Sequence, residues 1–169
     1  KISYQFESNL GLISISNLSN FLINKSFQES IDTLEINCRG LYRNGDESGL
    51  CYQPSPKFQN IFSASLEKNI NNVMSKSNIL IRHIGDVKDA KNIGTTQNLP
   101  FDSYTYFDAS LNLYFKDDLD LTLGINNLTD KDPPINGYIG YVPGNANTYP
   151  AFYDSLGRFV FLRVSKSLN

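Results

Sequence analysis

The chain alternates apolar and polar residues over several stretches, most clearly in its last third. Residues 103–115 form one such stretch, whose apolar members share a face: Phe107, Ala109, Leu111, Leu113 and Phe115. The positions between them include Asp108, Ser110 and Asn112. Successive side chains of a β-strand point to opposite faces of its sheet, so this period of two predicts a strand with one apolar and one polar face. Residues 119–127 and 158–168 repeat the pattern.

The same criterion, applied to the whole chain, predicts about seven strands and no helix. The predicted strands cover residues 1–7, 11–27, 57–68, 74–87, 103–115, 119–127 and 158–168. Short turns alternate with long loops, and the long loops cover residues 28–56, 89–100 and 130–154. Short turns at one end and long loops at the other are typical of outer-membrane barrels. We therefore predict an all-β fold, in which residues 1–169 form an antiparallel, up-and-down segment of an incomplete transmembrane β-barrel.

Composition and charge narrow the functional classes. Hydrophobic residues make up 40% of the chain and charged residues 19%, which excludes disorder by composition. A net charge of −2 argues against nucleic acid as a partner, because nucleic-acid-binding surfaces are usually basic. No apolar run reaches the roughly 20 residues of a transmembrane helix, whereas alternation dilutes the hydropathy of barrel strands. The chain begins with KISYQF, without Met or a signal peptide, so we expect it to start inside a longer protein.

Two cysteines flank one polar, Gly-rich loop. Cys38 and Cys51 lie in the segment INCRGLYRNGDESGLCYQPSP, which predicts a local disulfide formed in an oxidising compartment. In the chain-entropy model, closing a loop of this size stabilises the fold by about 3 kcal/mol. The alternative is a pair of unpaired thiols.

Groups suited to catalysis are sparse. The chain has one histidine, His83, and no second one to complete a metal site or a catalytic triad. Asp117, Asp118 and Asp120 lack the spacing of a calcium loop and predict a solvated turn. No Gly-rich phosphate-binding motif is present. We therefore expect a protein that is not an enzyme and that needs neither a metal nor a cofactor.

An ordered set of short motifs ends the chain. It comprises Asn126, Asn127 and Leu128, then Pro133 and Pro134, then Tyr153 and Asp154, then Gly157 and Arg158 before the last strand. In this order the set resembles the carboxyl-terminal end of the TonB-dependent outer-membrane receptors. One position departs from that pattern, because the family usually ends on an aromatic residue and this chain ends on Leu168 and Asn169. Since the last strand carries the barrel-assembly signal in that family, the departure puts efficient assembly in question.

The resemblance implies the carboxyl-terminal part of a receptor barrel of about 22 strands. It implies a place in the bacterial outer membrane and uptake of a scarce nutrient, such as an iron-siderophore, energised by the TonB complex. The plug domain and the TonB box would lie upstream and are absent from this chain. The implied partners are outer-membrane lipid, the barrel-assembly machinery, the nutrient ligand and, through the missing amino-terminal part, TonB.

Aromatic and basic residues of the long loops are candidates for contact with that ligand. They are Arg39, Tyr42 and Arg43 in the cysteine loop, and Tyr138, Tyr141 and Tyr149 in the last loop. Tyrosine offers a flat ring with a hydroxyl, and arginine pairs with carboxylates and phosphates. The alternative is that these side chains pack within the loops or lie at the membrane interface.

Two other protein classes fit the same pattern. One is a soluble β-sandwich that binds carbohydrate, and the other is a porin without a plug. The barrel and the sandwich differ in the surroundings of one apolar face, formed by Leu111, Leu113, Leu121, Leu123, Val160 and Leu162. A sandwich buries that face against a second sheet, whereas a barrel leaves it open to lipid.

Overall fold

The computed structural model describes residues 1–28, 30–42, 51, 53–90, 100–116, 118–135 and 148–167. The strands within these ranges are β1 (Ile2–Ser8), β2 (Gly11–Phe21), β3 (Ser26–Phe27), β4 (Ile36–Asn37), β5 (Leu41–Tyr42), β6 (Phe58–Ile70), β7 (Val73–Ile84), β8 (Lys88–Asp89), β9 (Tyr104–Phe115), β10 (Leu119–Asn126) and β11 (Phe159–Lys166). These ranges contain no helix, and hence none long and apolar enough to cross a membrane.

Seven of the strands form one antiparallel sheet, in the order β1-β2-β6-β7-β9-β10-β11. Because chain order and sheet order agree, the sheet is a meander. The prediction of an all-β fold with seven antiparallel strands is thus confirmed. The second predicted strand is too long, since β2 ends at Phe21 and residues 26–27 pair with β4 instead. The four two-residue strands of the long loops were not predicted, and β5 and β8 form a parallel pair between two of these loops.

The register places one set of side chains on each face of the sheet. One row across all seven strands consists of Tyr4, Ile15, Ala64, Ile79, Ala109, Ile125 and Val160. The neighbouring row on the opposite face consists of Gln5, Ser14, Ser65, Asn78, Ser110, Gly124 and Phe161. The period of two in each strand therefore adds up to one apolar face and one largely polar face across the sheet.

Connection length alternates between the two ends of the sheet. The turns between β1 and β2, β6 and β7, and β9 and β10 are two or three residues long. Asn71 and Asn72 make up the second of these, and both have positive φ angles, of 50° and 66°, as a tight hairpin turn requires. The long connections, residues 22–57, 85–103 and 127–158, all leave from the opposite end, which we call the loop end.

The buried core lies at the loop end, on the polar face of the sheet. Its members are mainly aromatic: Tyr42, Ile84, Val87, Phe101, Tyr106, Tyr149 and Tyr153. We call this group the aromatic cluster. Ile84 and Tyr106 come from β7 and β9, Tyr42 comes from the two-residue strand β5, and the other members lie outside the strands. Cys38 and Cys51 form the predicted disulfide, and both are buried. The loops therefore pack on the polar face and on each other.

Candidate functional site

A group of charged side chains lies on the polar face beside the aromatic cluster. Arg82 of β7 binds Asp108 of β9 with two hydrogen bonds, in which Nε donates to Oδ2 at 2.6 Å and Nη2 donates to Oδ1 at 3.0 Å. Leu80 is the register partner of Asp108, so Arg82 reaches its carboxylate diagonally across the strand pair. A planar guanidinium matches a carboxylate in this paired geometry, which holds both side chains in place.

A second carboxylate reaches Arg82 from the last long loop. Arg82 Nη1 and Nη2 donate to Asp154 Oδ1 and Oδ2 at 3.0 and 2.5 Å. The side chains of Arg82, Asp108 and Asp154 are 27%, 11% and 24% exposed, so water screens the group only in part. The three formal charges sum to −1. This group, which we call the arginine clamp, ties the loop before β11 to the centre of the sheet.

Three further contacts hold the arginine clamp. Asp108 Oδ1 accepts a hydrogen bond from the backbone N–H of Asn127 at 2.8 Å. The ring of Tyr106 lies under the guanidinium of Arg82, with 5.0 Å between the ring centre and Cζ. The hydroxyl of Tyr106 accepts a hydrogen bond from the backbone N–H of Asp154 at 3.3 Å. The carboxylates and the guanidinium are therefore satisfied by one another and by the backbone.

Several of the motif residues form a joint between β10 and β11. The side chain of Asn127 exchanges two hydrogen bonds of 2.9 Å with the backbone of Lys131. Asp130 Oδ1 accepts a hydrogen bond from the backbone N–H of Arg158 at 2.8 Å. Gly157 has a φ of 68°, and a Cβ at that position would lie 3.1 Å from Asp130 Oδ1. Asn127 and Gly157 thus set where the chain leaves one strand and enters the next.

The remaining motif residues surround this joint. Asn126 ends β10 with an exposed side chain, and the backbone N–H of Leu128 donates to the carbonyl of Phe107 at 2.7 Å. Pro133 is half-buried and Pro134 is buried, and both lie outside the strands. As residues without an N–H, they cannot extend the pairing of β10.

A cleft of about 470 Å³ opens beside the arginine clamp. Its lining combines the clamp residues with Leu80, Asn126, Tyr153, Leu156 and Phe159, among others. Leu156 and Phe159 are large apolar side chains with exposed fractions of 83% and 49% on a largely polar face. The cleft therefore offers both hydrogen-bonding and apolar surface to a small molecule or a protein segment.

The aromatic cluster packs the loops in well-defined ring geometries. Tyr42 stacks on Phe101 with 4.2 Å between ring centres, and Tyr149 and Tyr153 meet Phe101 edge-on. Burial raises the pKa of the Tyr153 phenol well above its usual value. Within the described ranges, the buried hydroxyls of Tyr153 and Thr148 have no hydrogen-bond partner.

The predicted ligand-contacting residues occupy two kinds of environment. Arg39 is exposed, and its Nε donates to the carbonyl of Leu22 at 2.6 Å. Tyr42 and Tyr149 are buried in the aromatic cluster, so any ligand contact there would need the loops to move. The others, Arg43, Tyr138 and Tyr141, lie outside the described residues. A role in ligand contact stays a prediction for the whole set.

The arginine clamp was missed by the sequence analysis. Asp154 was singled out only as part of a motif, and Asp108 only as a polar member of its strand. The sequence did contain a signal for it. Arg82 is the one charged residue of the segment SNILIRHIG, and the next predicted strand, residues 103–115, contains a single acidic residue, Asp108.

Within the described residues, no group of three His, Cys, Asp or Glu side chains could hold a metal ion. Comparison of the chain with protein-family models, with curated proteins and with solved structures finds no match.

Proposed function

We propose that this chain is the carboxyl-terminal barrel segment of an outer-membrane receptor that takes up a scarce nutrient with energy from TonB. The observation that carries the proposal is the open apolar face. Leu162, Val160 and Leu123 are 65%, 58% and 47% exposed. Leu111 is 36% exposed, and Leu113 and Leu121 are half-buried between their neighbours. Exposing apolar surface to water costs about 25 cal/mol of free energy for each Å². The same surface in contact with hydrocarbon carries no such cost.

The four longest strands of the sheet are long enough to span a membrane, whereas β1, β10 and β11 have 7, 8 and 8 residues. β2, β6, β7 and β9 have 11, 13, 12 and 12 residues, against the roughly 9–11 that a tilted transmembrane strand needs. On β9 the apolar run from Phe107 to Phe115 rises about 27 Å along the strand, at about 3.4 Å per residue. Tilted by about 40°, it spans roughly 21 Å, which is close to the apolar band of about 25 Å on known barrels.

The two edges of the sheet support an incomplete barrel. β1 and β11 are the edge strands, and in an antiparallel sheet of seven strands the first and the last run in the same direction. An all-antiparallel barrel needs an even number of strands, so these seven require an odd number of further strands to close. A receptor barrel of about 22 strands meets this condition, with about 15 strands supplied by the rest of the protein.

The polar face and the loop end suit the receptor role. In the proposed barrel the polar face lines the lumen, and the long loops project from one side of the membrane. The cleft beside the arginine clamp then opens into the lumen below those loops. A ligand caught by the loops would pass this surface on its way inward.

Paired labelling tests the membrane assignment. Leu162 and Arg163 are neighbours on opposite faces of β11, so Leu162→Cys and Arg163→Cys form a matched pair. Cys38 and Cys51 are bonded to each other and will not react with the label. In the intact protein in bilayers, a fluorophore at position 162 should be quenched by lipid-borne nitroxide, and one at position 163 by a water-soluble quencher. A label at position 162 that neither quencher reaches, beside a label at position 163 that the aqueous quencher reaches, would favour the soluble sandwich, because a sandwich buries the apolar face.

An uptake assay separates a receptor from a porin. Cells that carry the intact protein should accumulate a radiolabelled iron chelate, and collapse of the proton-motive force should abolish the accumulation. A porin would conduct the solute at the same rate with or without that force, because diffusion needs no energy.

A further inference from the structure

A small hairpin in the first long connection exposes large apolar side chains to solvent. Its strands, β3 and β4, pair Phe27 with Ile36, and we call residues 25–38 the acidic hairpin. Ile31 and Leu34, in the turn between the two strands, are 93% and 89% exposed. The lipid contact proposed for the apolar face of the sheet does not explain them, because this connection lies outside the sheet. Two nearly bare aliphatic side chains in one turn point to an interaction site.

Hydrogen bonds within the turn hold it in one conformation. The backbone N–H of Thr33 donates to the carbonyl of Ser30 at 3.1 Å, which closes a β-turn with Ile31 and Asp32 at its central positions. The backbone N–H of Ser30 donates to Thr33 Oγ1 at 2.9 Å. Gln28 Nε2 donates to the carbonyls of Thr33 and Ile31 at 2.8 and 3.3 Å. A turn that is already ordered loses less conformational entropy when a partner binds it.

The base of the acidic hairpin is anchored to the rest of the loop. The backbone N–H of Cys38 donates to the carbonyl of Lys25 at 2.7 Å, and the disulfide joins Cys38 to Cys51. Lys25 Nζ donates to Oγ of the buried Ser55 at 2.8 Å. The exposed turn is therefore carried by an anchored stem and not by a free segment of chain.

The charges of the turn indicate what kind of surface it fits. Residues 28–36 contain three acidic residues, Glu29, Asp32 and Glu35, and neither lysine nor arginine. The side chains of Asp32 and Glu35 are exposed and make no hydrogen bond or ion pair within the described ranges. Anionic lipid headgroups would repel such a turn, whereas lysine and arginine side chains of a protein would attract it.

We infer that the acidic hairpin is a docking element for a second protein with an apolar pocket surrounded by basic residues. Ile31 and Leu34 enter the pocket and supply the buried centre of the interface. Asp32 and Glu35 face the basic residues around it and select this partner over surfaces of negative charge. The inference goes beyond the proposed function and does not depend on it, because it uses no contact of the sheet with lipid.

Photo-crosslinking of the intact protein in the cells that make it tests the docking element. A benzophenone amino acid in place of Leu34 should cross-link to one other protein, in an apolar segment flanked by lysine or arginine. Ile31→Ser should lower the cross-linking yield roughly tenfold, as for the loss of one buried aliphatic side chain. Ile23→Ser is the matched control and should leave the yield unchanged, because Ile23 is 86% exposed in the same connection but lies outside the hairpin.

Charge reversal tests the basic surroundings of the pocket. Asp32→Lys combined with Glu35→Lys should lower the yield several-fold, because the new lysines face the basic residues of the partner. Asp86→Lys combined with Asp102→Lys makes the same change of net charge on exposed residues of the next long connection. This control pair should leave the yield unchanged.

Capture of a protein supports the inference only if the yield depends on Ile31 and on the acidic pair. Equal yields in the hairpin variants and in their controls would overturn it, since the captured protein would then be a chance neighbour. A cross-link to this same chain or to lipid would overturn it as well, because the hairpin would already be covered. A second label, in place of Ile31 with Leu34→Ser as the variant, guards against a label that itself blocks docking, and the absence of a cross-link from both positions would also overturn the inference.

Discussion

Removing the charge of Asp154 should loosen the last long loop without disturbing the sheet. Asp154→Asn keeps the size of the side chain and one acceptor oxygen, but it loses the negative charge that two N–H groups of Arg82 share. Arg82 remains paired with Asp108, so the variant leaves no orphan cation on the polar face. The loss is therefore confined to the attachment of the loop.

The expected change in the free energy of loop opening follows from the type of the Arg82–Asp154 hydrogen bonds and from their exposure to water. Hydrogen bonds to charged groups contribute about 1.5–3 kcal/mol. The side chains of Arg82 and Asp154 are 27% and 24% exposed, and screening by water places this pair at the lower end. We expect loop opening to become easier by about 1.5–2 kcal/mol, which is roughly a 12- to 30-fold change in the opening equilibrium.

Hydrogen–deuterium exchange of the intact protein measures this directly. The N–H groups of Phe152 and Tyr153 bond to the carbonyl of Tyr149, and that of Asp154 bonds to Tyr106. Their exchange should accelerate by the predicted factor, while the amides of β9 and β10 keep their rates. Asp130→Asn is the matched control in the same connection. Its ion pair with Arg158 is exposed and 3.8 Å long, and such pairs contribute little. Asparagine also keeps the side-chain oxygen that accepts the backbone N–H of Arg158. If the loop amides exchanged at the same rate in the parent protein and in Asp154→Asn, the inference that Asp154 holds the loop to Arg82 would be wrong.

Three further predictions concern the packing around the site. Tyr153→Phe removes a buried hydroxyl without a partner, so it should stabilise the intact protein by about 1 kcal/mol in urea unfolding. Because the raised pKa favours the neutral phenol in the folded state, the stability of the parent protein should fall as the pH rises above about 10, and less so in Tyr153→Phe. Gly124→Val should destabilise the protein by about 1–3 kcal/mol, since its Cβ would lie 2.2 Å from the ring of Phe161, which covers Gly124. Replacing Cys38 and Cys51 by Ala should lower the stability of the disulfide loop by about 3 kcal/mol and speed its proteolysis, with the strand amides unaffected.

Each of these has a result that would contradict it. Tyr106→Phe is the control for Tyr153→Phe, because its hydroxyl accepts a hydrogen bond and its loss should destabilise. If Tyr153→Phe and Tyr106→Phe changed the free energy of unfolding by the same amount, the prediction that the Tyr153 hydroxyl destabilises the fold would be wrong. Phe161→Ala should restore part of the loss caused by Gly124→Val, and additive losses would show that the ring is not the cause. Intact loop protection after removal of both cysteines would show that the aromatic cluster alone holds the loop.

The strands could be predicted because alternation is a local property. Residues 103–115 and 119–127 were predicted as strands, and β9 and β10 run from Tyr104 to Phe115 and from Leu119 to Asn126. The short turns between strands were equally readable, since a pair such as Asn71 and Asn72 tolerates positive φ angles. The two-residue strands of the loops carry no such period, and their pairing depends on where distant loops meet.

The alternation along the chain was enough to indicate seven strands and which side chains share a face, because both depend on neighbours in sequence. The arginine clamp depends on residues far apart in the chain: Arg82 lies 26 positions from Asp108 and 72 from Asp154. Only the register of β7 with β9 and the return of the last loop bring these charges together. The state of the apolar face is likewise a tertiary property, since a strand pattern shows that a face is apolar, and only the packed fold shows that no second layer of the described residues covers it.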